Sequence, residues 1–368
     1  MWLTSSSVGR KFVMALTGAA LVLFVTFHCL MNSVAIFWPT AYNAVCEFLG
    51  ANWYALVASA GLALLIVIHI IYAIWLTLQN RAARGNVRYA IETRPASVEW
   101  ASKNMLVLGI VVLAFLGVHL IQFWAKMQLV EVLGCEGEFP AAAGTLFLQE
   151  AFSCWITPVV YLIGFIALWF HLNHGFWSMF QSVGWDNTAW IPRLKCIGKW
   201  WIGIVMVLFV AQLAVFTYRA NDNYYLENEA LRAQYQEMIV NSIASKADSQ
   251  TAAYIENQIG TLPYDQAASQ IRMMAVQAEE LLNAFTPEVR NSIKGIESLE
   301  NVYDSNKGIL EPLKTAVSTL DAIKAPTAEE KKSLEEARAQ LKSQIPYQIQ
   351  AEIQTAKMQP QQVQQTPQ

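Results

Sequence analysis

Five long stretches of the sequence consist almost entirely of apolar residues. Each is near or above the roughly 20 residues that an α-helix needs to cross the hydrocarbon layer of a membrane. They predict transmembrane helices at about Phe12–Trp38, Trp53–Leu78, Met105–Trp124, Phe152–Phe180 and Trp200–Tyr218. We therefore expect an all-α fold in which residues 1–219 form a bundle of five transmembrane helices.

After residue 219 the long apolar stretches stop and a helical periodicity replaces them. Asp265, Thr286 before Pro287, and Thr327 with Glu330 are typical helix starts. The periodic apolar positions include Leu299, Val302, Ile309, Leu313, Val317 and Leu320. Residues 220–357 are therefore predicted to be an α-helical extension outside the membrane, and the Gln-rich residues 358–368 a disordered tail.

Composition separates the same two parts of the chain. All 13 tryptophans, 5 histidines and 5 cysteines precede residue 202. Residues 1–219 hold 12 Lys/Arg against 8 Asp/Glu, whereas residues 220–368 hold 13 against 20. The acidic extension gives no indication of nucleic-acid binding, and without histidine, cysteine or tryptophan it is a poor candidate for metal or haem chemistry.

The basic residues of the first part indicate an orientation. They cluster at the N-terminus and in the second and fourth loops, at Arg10, Lys11, Arg81, Arg84, Arg88, Arg94, Lys103, Arg193, Lys195 and Lys199. Loops rich in Lys and Arg face the cytoplasm, so we expect the N-terminus inside. With five crossings, the extension lies on the outer side.

The cysteines leave two alternatives open. Cys29 and Cys154 fall within predicted spans, where they are interpreted as small apolar residues. Cys46 and Cys135 fall in outer loops, where either a disulfide or two free thiols is possible. No C-x-x-C-H motif is present, which excludes the usual covalent attachment of a c-type haem.

Histidine is the most informative residue type in the chain. Each of the first four spans contains a histidine, and the fourth contains two: His28, His69, His119, His171 and His174. An ionisable side chain at membrane depth is costly and therefore suggests a function. The five positions are candidates for a buried cofactor or metal site.

Spacing assigns four of these histidines to two depths. The first and third spans leave the inner face near Lys11 and Lys103, and they reach His28 and His119 only late in their course. Because a helix rises steadily with each residue, both histidines lie in the outer half of the membrane. Spans two and four run in the opposite direction, which puts His69 and His171 in the inner half. The sequence thus predicts a His28–His119 pair and a His69–His171 pair.

Two imidazoles on opposite faces of one iron are the ligand set of a b-type haem. The alternatives are polar residues that only hydrogen-bond within the bundle, or a four-histidine metal site. A compact zinc site requires its ligands at one level, and a transporter usually carries carboxylates at membrane depth. We favour two haems b. Small residues near the ligands (Gly18, Ala19, Ala20, Gly61, Ala63, Gly109, Gly117, Gly164 and Gly175) are interpreted mainly as helix-packing positions.

Four short motifs, in this order, resemble one known family. They are S-S-x-G-R-K at Ser6–Lys11, T-F-H ending at His28, V-I-H-I-I-Y at Val67–Tyr72 and W-F-H-L-N-H-G-F-W-S at Trp169–Ser178. Over residues 1–218 the chain resembles the di-haem cytochrome b subunit of succinate dehydrogenase/fumarate reductase, the type B succinate:quinone oxidoreductase. In the fourth motif the family's ligand corresponds to His171, and His174 is the backup candidate.

The resemblance implies a respiratory complex of the bacterial inner membrane. A flavoprotein subunit with FAD and an iron–sulfur subunit would bind the cytoplasmic face, and dicarboxylate chemistry would take place there and not in this chain. Electrons would pass through the two haems to a quinone, usually menaquinone. Some members carry a glutamate where this chain has Trp169, so a proton route at that place is in doubt.

Other assignments remain open at this stage. Glu47 is a candidate quinone residue or an ordinary solvated glutamate. Arg10, Lys11, Arg81, Lys103 and Lys195 would bind haem propionates or the iron–sulfur subunit, or only obey the charge rule. The rival functions are another quinone-linked di-haem cytochrome b and a haem-free membrane scaffold or transporter.

Overall fold

The structure, a computed structural model, describes residues 6–50, 52–84, 100–135 and 137–358. These residues are helical or irregular and contain no β-strand. The chain divides into two compact units: residues 1–129 with 141–225, and residues 130–140 with 226–368. Arg88 and Arg94 lie outside the described residues, as does the predicted tail after Met358.

The first unit is a helical bundle. Its helices are α1 (Ser7–Phe37), α2 (Pro39–Gly50), α3 (Trp53–Arg84), α4 (Trp100–His119), α5 (Gly144–Ser153), α6 (Ile156–Ser182) and α7 (Trp190–Asn221). Among them α1, α3, α4, α6 and α7 are long and apolar enough to cross a membrane. The predicted all-α class and the five spans are confirmed, and the chain is a multi-pass membrane protein.

The start of the fourth span was predicted incorrectly. Phe152 belongs to the separate helix α5, and the chain breaks at Cys154 and Trp155 before α6 begins at Ile156. Cys154 is exposed at this break, so its predicted place inside a span is wrong. Cys29 is buried as expected, and Cys46 and Cys135 are free thiols.

A π-helix follows directly after α4. It runs over Leu120–Leu129, immediately after His119, and ends in a short helical turn at Val130–Val132. Most π-helices are single-turn bulges, often at functional sites. A longer π-helical segment beside a histidine therefore makes this end of α4 a candidate functional region.

Polar side chains fasten the ends of the first unit's helices. Ser6 caps α1 by accepting the backbone N–H of Gly9 at 2.9 Å. At the other end of α1, the Arg219 guanidinium donates to the carbonyls of Ala35 and Ile36 at 2.7 and 2.8 Å. These contacts satisfy terminal backbone groups that would otherwise lack partners.

The second unit is also α-helical. Its helices are α8 (Tyr224–Glu227, at the boundary), α9 (Glu229–Ala244), α10 (Ser249–Tyr254) with a π-helical continuation (Ile255–Ile259), α11 (Tyr264–Ala284), α12 (Pro287–Ser292), α13 (Glu297–Ile323) and α14 (Ala328–Met358). Of the predicted apolar positions, Leu299, Ile309, Leu313 and Leu320 are buried, whereas Val302 is 40% exposed.

Helix starts in the second unit were predicted with mixed success. Thr286 caps α12 by accepting the N–H of Val289, and Thr327 accepts the N–H of Glu330 at 3.2 Å. Asp265 does not cap α11: the capping position is Pro263, and Asp265 lies in the first turn, where it binds Lys324. A carboxylate in the first turn is still favoured by the helix dipole.

A buried arginine joins α11 to the end of α13, to the start of α14 and to the segment between them. The Arg272 guanidinium donates to Asp321, to Glu330 and to the carbonyl of Lys324, each at 2.9 Å. Its side chain is only 6% exposed. The Glu330 carboxylate binds Arg272 and also accepts from the Thr327 backbone N–H, so Thr327 and Glu330 form the reciprocal capping box that this pair of residues predicts.

We expect Arg272→Ala to destabilise the second unit by roughly 3 kcal/mol, because two carboxylates and a carbonyl lose a shared buried donor. Hydrogen exchange of α11 and α13 amides in the full-length protein measures this loss. The matched control is Lys314→Ala, which removes the 50% exposed partner of Glu311 and is expected to cost less than about 1 kcal/mol. Equal effects of the two substitutions would contradict this account.

Candidate functional site

Four of the five histidines form two pairs inside the first unit. The ring centroids of His28, on α1, and His119, at the end of α4, are 5.6 Å apart and the rings are perpendicular. The ring centroids of His69, on α3, and His171, on α6, are 6.5 Å apart at an interplanar angle of 59°. We name these the 28/119 pair and the 69/171 pair.

Each pair bridges two helices that are not packing neighbours. Over the described residues, α1 packs against α3 and α6, and α4 packs against α6. Within the same part of the chain, extensive contact exists neither between α1 and α4 nor between α3 and α6. The pairs therefore lie across the two diagonals of a four-helix arrangement, where facing side chains can hold a cofactor in the bundle core.

The distance between the two ring centroids of each pair is close to that expected for two imidazoles bound to one iron. An imidazole nitrogen lies about 2 Å from a metal that it ligates, so two rings on opposite sides of one iron have centroids roughly 6–6.5 Å apart. The 69/171 pair, at 6.5 Å, matches this spacing. The rings of the 28/119 pair, with centroids 5.6 Å apart, are slightly too close. To bind one iron between them they would have to move apart by less than about 1 Å.

The two pairs occupy different levels of the bundle. On α1, Thr17 contacts His69, and His28 follows roughly three helical turns later. On α6, Tyr161 contacts His119, and His171 also follows roughly three turns later. At about 1.5 Å per residue, both helices place the pairs roughly 15 Å apart along the bundle.

Thr17 determines which nitrogen of His69 is protonated. Its hydroxyl donates to the carbonyl of Val13 at 2.9 Å and also lies 3.1 Å from the carbonyl of Met14. With its single proton on the Val13 carbonyl, the hydroxyl accepts from His69 Nδ1, at 3.1 Å. Nδ1 therefore carries the ring proton, and the lone pair of Nε2 is available to a metal.

Tyr161 has the same effect on His119. Its hydroxyl donates to Gln122 Oε1 at 3.1 Å, and the Gln122 amide donates to Thr157 at 3.1 Å. The tyrosine oxygen must then accept from His119 Nδ1, at 3.0 Å. This again leaves the lone pair of His119 Nε2 available to a metal.

His28 has its polar neighbour at the other ring nitrogen. Asn32 Nδ2 lies 3.3 Å from His28 Nε2, and Asn32 Oδ1 accepts from the Tyr42 hydroxyl at 3.2 Å. Burial raises the pKa of Tyr42 well above its ordinary value, so the phenol stays protonated and donates. Since its Oδ1 is held this way, the Asn32 amide N–H faces the lone pair of Nε2. This contact has to open before Nε2 of His28 can bind a metal.

His171 and His174 differ in what their rings contact. Nδ1 of His171 is buried and has no hydrogen-bond partner within the described residues. His174 belongs to neither pair: its ring packs edge-on against Trp177 at 5.1 Å, and Lys195 lies 4.0 Å above the Trp177 ring. The placement therefore favours His171 over His174 as the partner of His69.

Apolar and small residues shape the space around the pairs. Phe24, Phe115 and Phe123 lie against the histidine rings of the 28/119 pair, with centroids between 5.3 and 6.0 Å away. A Cβ added at Gly18 or Gly109 would lie 3.6 Å from His69 and 3.8 Å from His171. These two glycines keep the backbone close to the 69/171 pair.

Most of the remaining candidates are exposed side chains. Glu47 is not buried on α2, and Lys11, Arg81 and Lys103 are exposed. Arg10 lies 5.3 Å from the Trp75 ring. Burial raises the pKa of the neighbouring Cys46 thiol to about 12, so this cysteine is not a reactive thiolate.

The chain has no match among protein-family models, curated proteins or solved structures. Within the described residues there is also no group of three or more His, Cys, Asp and Glu side chains that could hold a metal ion. The candidate chemistry therefore depends on paired imidazoles alone, a ligand set suited to haem and not to a tetrahedral zinc site.

Several residues of this site were not identified from the sequence. Thr17, Asn32, Gln122 and Tyr161 are polar residues within apolar helices, and this is the signal that could have marked them. Phe115 gives no such signal, because aromatic residues are common throughout the spans.

Gly164 controls how closely Phe115 approaches α6. A Cβ at this position would lie 2.9 Å or less from three Phe115 carbons, including its Cβ, so the whole side chain must move. We expect Gly164→Ala to cost about 1–3 kcal/mol of stability and to disturb the 28/119 pair.

Thermal unfolding in detergent, monitored by loss of the monodisperse protein peak, tests this expectation. Gly175→Ala on the same helix is the control, because nothing lies within 4 Å of its added Cβ. A lower unfolding temperature for Gly175→Ala than for Gly164→Ala would refute the packing argument.

Proposed function

We propose that the chain is the membrane-anchor cytochrome b subunit of a succinate dehydrogenase/fumarate reductase complex. The observation that carries the proposal is the pair of histidine couples, set across the two diagonals of one bundle at two different levels. The four sequence motifs that resemble the type B family contain three of these histidines.

In this proposal His28 with His119, and His69 with His171, are the axial ligands of two haems b. Bound haem would supply one-electron oxidation and reduction at its iron. The chain supplies ligation, orientation and exclusion of water: Thr17 and Tyr161 fix the ring protons on Nδ1, and phenylalanines cover the 28/119 pair. Two levels of ligands give electrons a route along the bundle.

The partners follow from the resemblance and from charge. A flavoprotein subunit with FAD and an iron–sulfur subunit would bind the cytoplasmic face, where the positive-inside rule places Arg10, Lys11 and Lys195. The chain would then reside in a bacterial inner membrane with its second unit on the periplasmic side. Quinone, with menaquinone as the expected species, would exchange electrons from within the lipid.

Purification of the tagged chain from its native membranes in mild detergent tests this assignment. We expect an FAD-containing flavoprotein and an iron–sulfur protein to co-purify, and succinate to reduce the b-type absorption bands. Reduction by hydrogen or formate instead, with the corresponding dehydrogenase bound, would favour another quinone-linked cytochrome. A preparation without haem would favour the scaffold or transporter.

A further inference from the structure

Two hydroxyl groups, one for each histidine pair, form hydrogen bonds to ring nitrogens that face away from the proposed irons. Thr17 accepts from His69 Nδ1 at 3.1 Å, and Tyr161 accepts from His119 Nδ1 at 3.0 Å. They reach the pairs from different helices: Thr17 from α1 and Tyr161 from α6.

Both acceptors are strengthened by the bonds that their own protons make. The Thr17 proton is committed to a backbone carbonyl, and the Tyr161 proton to the Gln122 amide, which in turn donates to Thr157. Hydrogen bonds in such chains polarise one another. A stronger acceptor at Nδ1 raises the basicity of the ligating nitrogen.

In the 69/171 pair this effect acts through one ligand only. Nδ1 of His171 is buried without a hydrogen-bond partner in the described part of the chain, so the identified acceptor for this pair is Thr17. Removing one hydroxyl should therefore change the electron donation to one iron and leave the other unchanged.

We propose that Thr17 and Tyr161 are positioning residues that each lower the midpoint potential of one haem. Thr17 acts on the haem of the 69/171 pair, and Tyr161 on that of the 28/119 pair. A more basic imidazole stabilises the oxidised iron relative to the reduced iron, which lowers the potential. The inference rests on the proposed haem ligation and adds two residues that touch the ligands without touching the iron.

Redox titration of the purified, haem-loaded full chain, followed by absorption of the b-type bands, tests the inference. Thr17→Val keeps the side-chain shape but removes the acceptor, and Tyr161→Phe does the same for the aromatic ring. We expect each substitution to raise the potential of its own haem by up to about 59 mV, which is a tenfold change in the oxidised-to-reduced ratio.

Single-haem backgrounds make the assignment unambiguous. In His171→Ala only the 28/119 haem is expected to remain, so Tyr161→Phe must shift its potential and Thr17→Val must not. In His119→Ala only the 69/171 haem is expected to remain, so Thr17→Val must shift its potential and Tyr161→Phe must not. Thr77→Val and Tyr218→Phe are matched controls. Thr77 has the same hydroxyl-to-carbonyl bond on α3, and Tyr218 is 70% exposed on α7.

The outcomes separate this inference from the function on which it rests. A wild-type chain without haem would overturn both. Two haems whose potentials do not respond to Thr17→Val and Tyr161→Phe would leave the ligation standing and overturn the inference. Loss of haem from either variant would also overturn it, because the inference requires the ligands to stay bound.

Discussion

Replacing His171 by alanine is expected to reduce the haem content from about two to about one per chain. His171 faces His69 with ring centroids 6.5 Å apart, whereas the 28/119 pair lies at another level of the bundle. Removing one ligand leaves His69 without a partner across the iron, and a bis-imidazole haem cannot form there. Haem extracted from the purified protein gives the stoichiometry.

His174→Ala is the matched control for this substitution. It removes another imidazole of α6, whose ring packs on Trp177, outside both pairs. We expect this variant to keep both haems. If His174→Ala lost one haem and His171→Ala lost none, His174 would be the ligand and the assignment of the fourth span would have to be exchanged.

The second large effect is expected on the haem content of double variants. Two such variants show whether haem loss depends on which histidines pair or only on how many are removed. His28→Ala with His119→Ala removes both ligands of one pair, so one haem should remain. His28→Ala with His69→Ala removes one ligand from each pair, so both haems should be lost. Each variant lacks two imidazoles, and the difference between them depends only on which histidines pair with each other.

Haem stoichiometry and size-exclusion profiles of both double variants provide the measurement. The pairing is contradicted if the His28/His69 variant retains a haem, or if the two variants retain the same amount. A monodisperse protein in both preparations excludes misfolding as the cause of a difference.

Much of the fold follows from the sequence because membrane spans follow one rule. Every backbone polar group must be satisfied inside the hydrocarbon layer, so long apolar stretches become helices. What that rule does not specify is where a helix breaks: Cys154 and Trp155 separate α5 from α6 within a continuous apolar run. The π-helix after His119 has no compositional signal either.

The histidine pairs could be expected because depth depends only on spacing and direction. Counting from the ends of the spans pairs His28 with His119 and His69 with His171, and the structure brings the same rings together. The groups around them could not be placed by counting. Tyr161, on α6, contacts both His119 and Gln122 because α6 packs against α4 and because the π-helix that continues α4 brings Gln122 to the Tyr161 hydroxyl.

In the extension, the helices could be predicted from the sequence, but one of their caps and one buried side chain could not. Its helices have clear capping signals, yet the assignment of Asp265 as a cap is wrong because Pro263 already occupies the capping position of α11. Burial of Arg272 was also not predicted, since arginine is mostly found at the surface. Three acceptors at 2.9 Å compensate for its desolvation, and these acceptors come together only in three dimensions.

The central claim is that two couples of imidazoles at two levels of the bundle each hold one haem. Haem quantification together with the absorption spectrum of the purified full-length chain tests it most directly. The account predicts about two b-type haems per polypeptide, both with the low-spin spectrum of iron bound by two imidazoles. A folded, monodisperse protein that binds no haem, or only one, would contradict it.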